Sequence, residues 1–232
     1  MKYFIILILF FSTITLTSQK RQLDSLDIEI QKAANKSNTI EISELIEEQT
    51  NITNKYSYKL SLDYAIKGLN IAYDLDDKIL LARMYYKIAK IYFSTGQYDQ
   101  SLESYDKSIK LFLNENFYGS IIFINIDIGN IYYAKKLYDI AKDNYLNAIN
   151  YAKFHSKTLE QMEFPMSVAN NNIGLIYKNL NKYDSALIYF NYGLKLRNAE
   201  FIKYLIPHSY NYIADVYTLK NDFQNAEKYY NL

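Results

Sequence analysis

Residue types that do chemistry are sparse in this chain and badly spaced for it. The two histidines, His155 and His208, lie far apart. No H-E-x-x-H helix, G-x-S-x-G elbow, phosphate-binding P-loop or dinucleotide fingerprint occurs. Cysteine is absent, which excludes disulfides, thiolate metal sites and a cysteine nucleophile. The carboxylate pair Asp76-Asp77 reads as turn and cap residues. No catalytic, cofactor-binding or metal-ligating residue is therefore assigned, and enzymatic activity is not expected. Asparagine and tyrosine are frequent, but both have A/T-rich codons, so their abundance says nothing and only their spacing counts.

Composition narrows the architecture. Lys plus Arg number 26 and Asp plus Glu 25, for a net charge of +1 over 232 residues. A nucleic-acid binder would show a concentrated basic footprint, and none is present. Six glycines and two prolines are too few for a chain of short strands and tight turns. The expectation is an all-α fold.

The elements that must position any binding residue are set by a repeat. Ala89, Gly129, Gly174 and Ala214 stand 40, 45 and 40 residues apart. Three residues after each comes Tyr92, Tyr132, Tyr177 or Tyr217. Six further on stand Tyr98, Tyr138, Tyr183 and Phe223, then Ser101, Ala141, Ala186 and Ala226. Four beyond those stand Tyr105, Tyr145, Phe190 and Tyr230, followed by Ser108, Ala148 and Gly193. Every column is uniformly small or uniformly aromatic. Codon usage can enrich tyrosine but cannot hold it in register.

Each copy reads as two helices joined near residues 95–97, 135–137, 180–182 and 220–222. Small residues let the two backbones approach, and the aromatic columns fill the space between helices. Gly96 supplies a left-handed turn residue. Asp99, Asp139 and Asp184 fall in the first turn of the second helix, at its positive dipole end. Pro165 and Pro207 are expected where a first helix begins, with the stretch "FHSKTLEQMEF" as additional connection. Gly174 is a packing residue, and because alanine occupies its column in two sister copies, Gly174→Ala is expected to be tolerated.

This spacing resembles the tetratricopeptide repeat, a helix-turn-helix unit. The resemblance covers roughly residues 41–232, with a weaker early copy at Tyr58, Ser61, Ala65 and Gly68, where Gln49 stands in place of a small residue. It implies a right-handed superhelical solenoid of antiparallel helix pairs, about four to five repeats, the last incomplete. It also implies binding of a protein or peptide on the concave face built from the first helix of each pair. Carrying the family's groove positions across gives Tyr86 and Lys90, Asn130 and Tyr133, Asn171 and Lys178, and Asn211. Asparagine amides pair with a peptide backbone through donor and acceptor together. The family's clamp for a C-terminal carboxylate is not reproduced, because Leu175 and Asp215 occupy its places.

The N-terminus reads as an address. Lys2 precedes an apolar run from Tyr3 to about Leu16, too short for a spanning helix and suited to a secretory signal peptide over residues 1–19. A lead-in helix is expected over 20–40, from Leu23, Leu26, Ile30 and Ala33. The expected location is the periplasm or cell envelope, with the membrane involved only through the leader. The array stops at Leu232 before its third small column, so further chain, carrying an effector region, is expected. Two functions remain open: the ligand-sensing part of a signalling system, or a structural adaptor of the envelope without a sensing role.

Overall fold

A computed structural model describes residues 2–55, 57–197 and 200–232; at 2–17, 159–160 and 200–202 it describes the backbone alone. Among the described residues there are eleven α-helices, one 3₁₀ segment and no strand. The chain divides into two compact units, residues 1–115 and 116–232.

The first unit holds α1 (Lys2–Asn35), α2 (Thr39–Thr53), α3 (Tyr58–Asp74), α4 (Lys78–Ser94) and α5 (Tyr98–Asn114), each packed on the next. The expected leader and lead-in segment fall together on α1, which ends at Asn35. Among the described residues no helix is long and apolar enough to cross a membrane. Ile30, Ile42, Ile46, Leu80 and Met84 form the main core, where α1, α2 and α4 meet. The small columns here are serines that also bond. Ser101 Oγ donates to the Ala89 carbonyl (2.8 Å) and Ser108 Oγ to that of Ala82 (2.7 Å), stapling α5 to α4. Gln49, the outsized residue of the early copy, is buried and donates to Asp27 on α1 at 2.8 Å, which satisfies its amide.

Two ion pairs in this unit join residues 40 apart, Lys67 to Asp27 (3.5 Å) and Lys87 to Glu47 (2.6 Å). At Glu47 the hydrogen bond from Lys87 lowers the carboxyl pKa, whereas at Lys87 burial outweighs the pairing and lowers the ammonium pKa. The difference follows exposure, 56% for the Glu47 side chain and 11% for Lys87.

The second unit holds α6 (Tyr118–Ala134), α7 (Tyr138–His155), α8 (Leu159–Asn179), α9 (Tyr183–Leu196), a 3₁₀ segment (Glu200–Leu205), α10 (Ile206–Leu219) and α11 (Phe223–Tyr230). Ile122, Tyr145, Ile149, Met166, Ile173 and Ile176 make one core, and Phe190, Ile213 and Val216 a second. The four turns expected between paired helices fall at 95–97, 135–137, 180–182 and 220–222.

Each of these turns closes the same way. The tyrosine column, Tyr92, Tyr132, Tyr177 and Tyr217, accepts the six-to-one bond of a Schellman turn, at 2.9 Å in all four. The left-handed residue is Gly96 in the first (φ +74°), then Lys136, Asn181 and Asn221 (φ +57° to +60°). Asparagine tolerates this conformation; Lys136 holds it against the usual cost of a Cβ, on the order of 1 kcal/mol. The next helix then starts at Gln97, Leu137 or Lys182 with no side-chain cap bond, and the aspartate in the first turn supplies the negative charge at the dipole's positive end.

Two expectations are corrected. Pro207 does open α10, but Pro165 lies inside α8, six residues past its start. The helix begins earlier because Thr158 caps it: Thr158 Oγ1 accepts from the Gln161 amide (3.2 Å), and the Gln161 side chain accepts from the Lys157 amide (3.0 Å). Much of "FHSKTLEQMEF" is thus helix. The second correction concerns Gly174. A Cβ there would lie 2.5 Å from Phe190 Cε1, and one on Gly129 the same distance from Tyr145 Cε1. Both rings are fully buried, so alanine does not fit either place without displacing an aromatic core side chain.

Candidate binding face

The candidate groove residues divide between the two units. In the first, Tyr86 and Lys90 lie one turn apart on α4. Lys90 is exposed with Nζ 5.6 Å above the Tyr86 ring, and Tyr86 leans on the buried Tyr105 (5.9 Å between centroids). A cation over an aromatic face is a modestly attractive pair.

In the second unit the first helices α6, α8 and α10 are tied by polar side chains. Asn172 Nδ2 donates to Asn130 Oδ1 (3.0 Å), which also accepts from the Tyr145 hydroxyl (2.8 Å). Asn179 Nδ2 donates to the Tyr133 hydroxyl (2.7 Å). Lys178 Nζ bridges to Asp215 Oδ2 at 3.3 Å, and Tyr230 donates to the other oxygen of that carboxylate (2.9 Å). Asn211 is exposed one turn before Asp215 and shares its helix face. These contacts make a polar strip: they tie Asn130 and Tyr133 on α6 to α8, and Lys178 on α8 to α10, while Asn211 lies exposed beside Asp215 without a side-chain bond of its own among the described residues. Burial raises the pKa of Tyr133 and of Tyr145, so both hydroxyls stay protonated, that of Tyr145 already donating to Asn130.

Asn171 departs from the expectation. It is 2% exposed and faces α9, with one end of its amide 2.4 Å from where a Cβ on Gly193 would stand. With its amide oxygen turned to the guanidinium, it accepts from Arg197 Nη2 at 2.6 Å. It is a packing residue, and its neighbour Asn172 takes the place on the strip. Arg197 was not singled out by the sequence. It is 4% exposed, and Nη1 donates to the Leu205 carbonyl (2.7 Å) and to Ser209 Oγ (2.9 Å). Burial lowers its pKa from the ordinary arginine value; neutral acceptors meet its two terminal nitrogens, and Nε is buried without a partner among the described residues.

Sequence reasoning also missed a cleft of about 890 Å³ at the end of the second unit away from the turns at 135–137 and 180–182. It is walled by Tyr118, Phe123, Phe164 and Tyr204, with His155 and Lys157 at its polar side. Among the described residues no group of three His, Asp or Glu is placed to hold a metal ion.

Helical hairpins in series, with small residues facing aromatics and a polar strip on the first helices, define a tetratricopeptide-type helical repeat protein. The tetratricopeptide repeat profile matches residues 82–114 and 168–200, which are the α4–α5 and α8–α9 hairpins. Proteins of curated function give no match. Among solved structures, BtubC (BKLC) from P. vanneervenii is similar at 19% identity and TM-score 0.77, over 91% of this chain and 87% of that one. NprR in complex with its cognate peptide NprX is similar at 20% identity and TM-score 0.62, over 90% of this chain and 60% of NprR. A Rap protein complexed with competence and sporulation factor is similar at 15% identity and TM-score 0.64, over 90% and 62%. These likenesses establish the fold.

Proposed function

We propose that this chain is an exported protein- or peptide-binding module that serves as the ligand-sensing part of a signalling system. The observation that carries the binding role is the polar strip on α6, α8 and α10. Its amides and hydroxyls match the alternating donors and acceptors of an extended peptide backbone. Asn130, Tyr133 and Lys178 are held by neighbouring side chains before a ligand arrives, which lowers the entropy cost of binding. The fold supports the same reading, since NprR and the Rap protein are seen with bound peptides or factors. Export rests on Lys2 and the apolar run after it. Protein isolated from the native host is expected to start near Gln19 or Lys20, and intact Met1 in the soluble cytoplasm contradicts this.

A displayed library of linear peptides, selected on the purified protein, tests the binding role. Enriched peptides are expected to bind with affinity that falls about tenfold or more in Lys178→Ala and Asn211→Ala, a hot-spot-sized loss. Ile188→Ala, an exposed position on α9, should leave binding unchanged. A library that yields no binder, or binders indifferent to Lys178 and Asn211, removes the proposal.

A further inference from the structure

We propose that the cleft between the start of α6, the end of α7 and the start of α8 is a second, separate binding site, for a small apolar molecule that carries a carboxylate. The site arises where the repeat is irregular. Gly129 and Gly174 stand 45 residues apart where their neighbours stand 40 apart. The additional residues are one at the end of α7, which makes it 18 residues long against 17 for α5, and four at the start of α8, which is 21 long against 17 for α6. The added residue of α7 is His155. Its ring stacks on Tyr118 with centroids 3.9 Å apart and tilts against Tyr151 at 5.5 Å. The extended start of α8 brings Phe164 to within 6.2 Å of Phe123, centroid to centroid. The cleft thus lies where the five residues break the period: His155 and Gln161 are among its lining, and its aromatic wall is Tyr118, Phe123, Phe164 and Tyr204. Its size, about 890 Å³, suits a small ligand and is generous for a single side chain.

Two independent observations set the ligand's polarity. Tyrosines apart, the ionisable residues lining the cleft among the described side chains are His155 and Lys157. Lys157 is exposed at the cleft, makes no ion pair with a described side chain, and can meet an anion. Beside it, Ser156 Oγ is buried with no hydrogen-bond partner among the described residues. A buried hydroxyl without a partner is costly and rare, and a bound acceptor oxygen would satisfy it. A cationic rim, a donor in need of an acceptor and an aromatic wall together select an aryl or large alkyl group with a carboxylate next to it. The cleft does not involve Asn130, Tyr133, Lys178 or Asn211, so its occupancy is independent of the peptide strip.

The chain has no tryptophan, so the fluorescence of 1-naphthylacetate reports binding to the full-length protein directly. Saturable binding is expected, with 1-naphthylacetamide at least about tenfold weaker because it lacks the charge. Lys157→Gln should erase that preference without changing the melting temperature. Gly119→Leu should abolish binding: Gly119 lines the cleft, and a Cβ there meets nothing within 4 Å, so the variant fills the space without strain. The assignment is overturned by absence of saturable binding, by equal affinity for the acetamide, or by full binding in Gly119→Leu. It is also overturned if laurate or a short peptide ending in phenylalanine binds more tightly than naphthylacetate, since the occupant would then be of another class.

Discussion

Gly174→Ala is expected to destabilise the protein by about 1–3 kcal/mol, the usual cost of overpacking a close-packed core. The added methyl group would stand 2.5 and 2.6 Å from two atoms of the Phe190 ring, which is itself 0% exposed and stacked on Tyr212 at 5.2 Å. Such a ring cannot yield by swinging a flexible tip aside. The gain in helix propensity from glycine to alanine, about 1 kcal/mol, offsets only part of the clash. Gly129→Ala should behave alike, since its Cβ would meet Tyr145 at 2.5 Å. Alanine is native at positions 214 and 89, where the matching aromatics are the 52% exposed Tyr230 and the buried Tyr105, so the placement of the ring decides and not its burial. At roughly 2–4 °C per kcal/mol for a chain of this size, thermal melting by circular dichroism resolves the effect. Phe190→Leu in the Gly174→Ala background should recover part of the loss by making room. An unchanged melting temperature in Gly174→Ala means the ring is not where the structure puts it.

Arg197→Ala is expected to cost about 2–4 kcal/mol. The guanidinium holds the Leu205 carbonyl, Ser209 Oγ and the Asn171 amide oxygen together, joining the end of α9 to α8 and to the start of α10. Its removal leaves buried acceptors unpaired and opens a cavity among them, and charge-assisted bonds of this kind are each worth roughly 1.5–3 kcal/mol. Arg197→Lys should not restore stability, because a single ammonium cannot reach acceptors spread around a planar fork. The Glu200–Leu205 segment should also be cut faster by protease in both variants, as its carbonyl anchor is gone. Melting within a degree of the parent protein shows that Arg197 is a spectator.

The repeat was legible because its columns are set by steric limits that act on residue size. A small residue is needed where two helix backbones approach, an aromatic one where they diverge. Those demands recur every 40 to 45 residues, so the turns at 95–97, 135–137, 180–182 and 220–222 could be placed from spacing alone, whereas the candidate groove positions came only from the resemblance to the tetratricopeptide repeat. What size does not encode was missed. Alanine and glycine share a column, yet the ring opposite decides between them, and that ring's direction is a tertiary fact. Pro165 marked a helix start by propensity, but the Thr158–Gln161 capping pair set the boundary two turns earlier. Asn171 and Asn172 are adjacent on α8, and a difference of one residue rotates a side chain by about 100° around a helix. Column spacing could not say which faces the strip. Arg197 carried a faint signal, as one of few arginines in a lysine-rich chain. The aromatic cleft arises where the period fails, at the residues the repeat could not align.

The absence of cysteine in the chain makes the binding face open to direct measurement. Asn211→Cys puts a single thiol on the strip, and Ile188→Cys puts one on an exposed face of α9. Rates of maleimide labelling at the two thiols are compared with and without a selected peptide at saturating concentration. Slowed labelling at position 211 with an unchanged rate at position 188 is the predicted result. Equal rates at 211 in the free and bound protein, or protection at 188 instead, would contradict the assignment of the first-helix strip as the binding face.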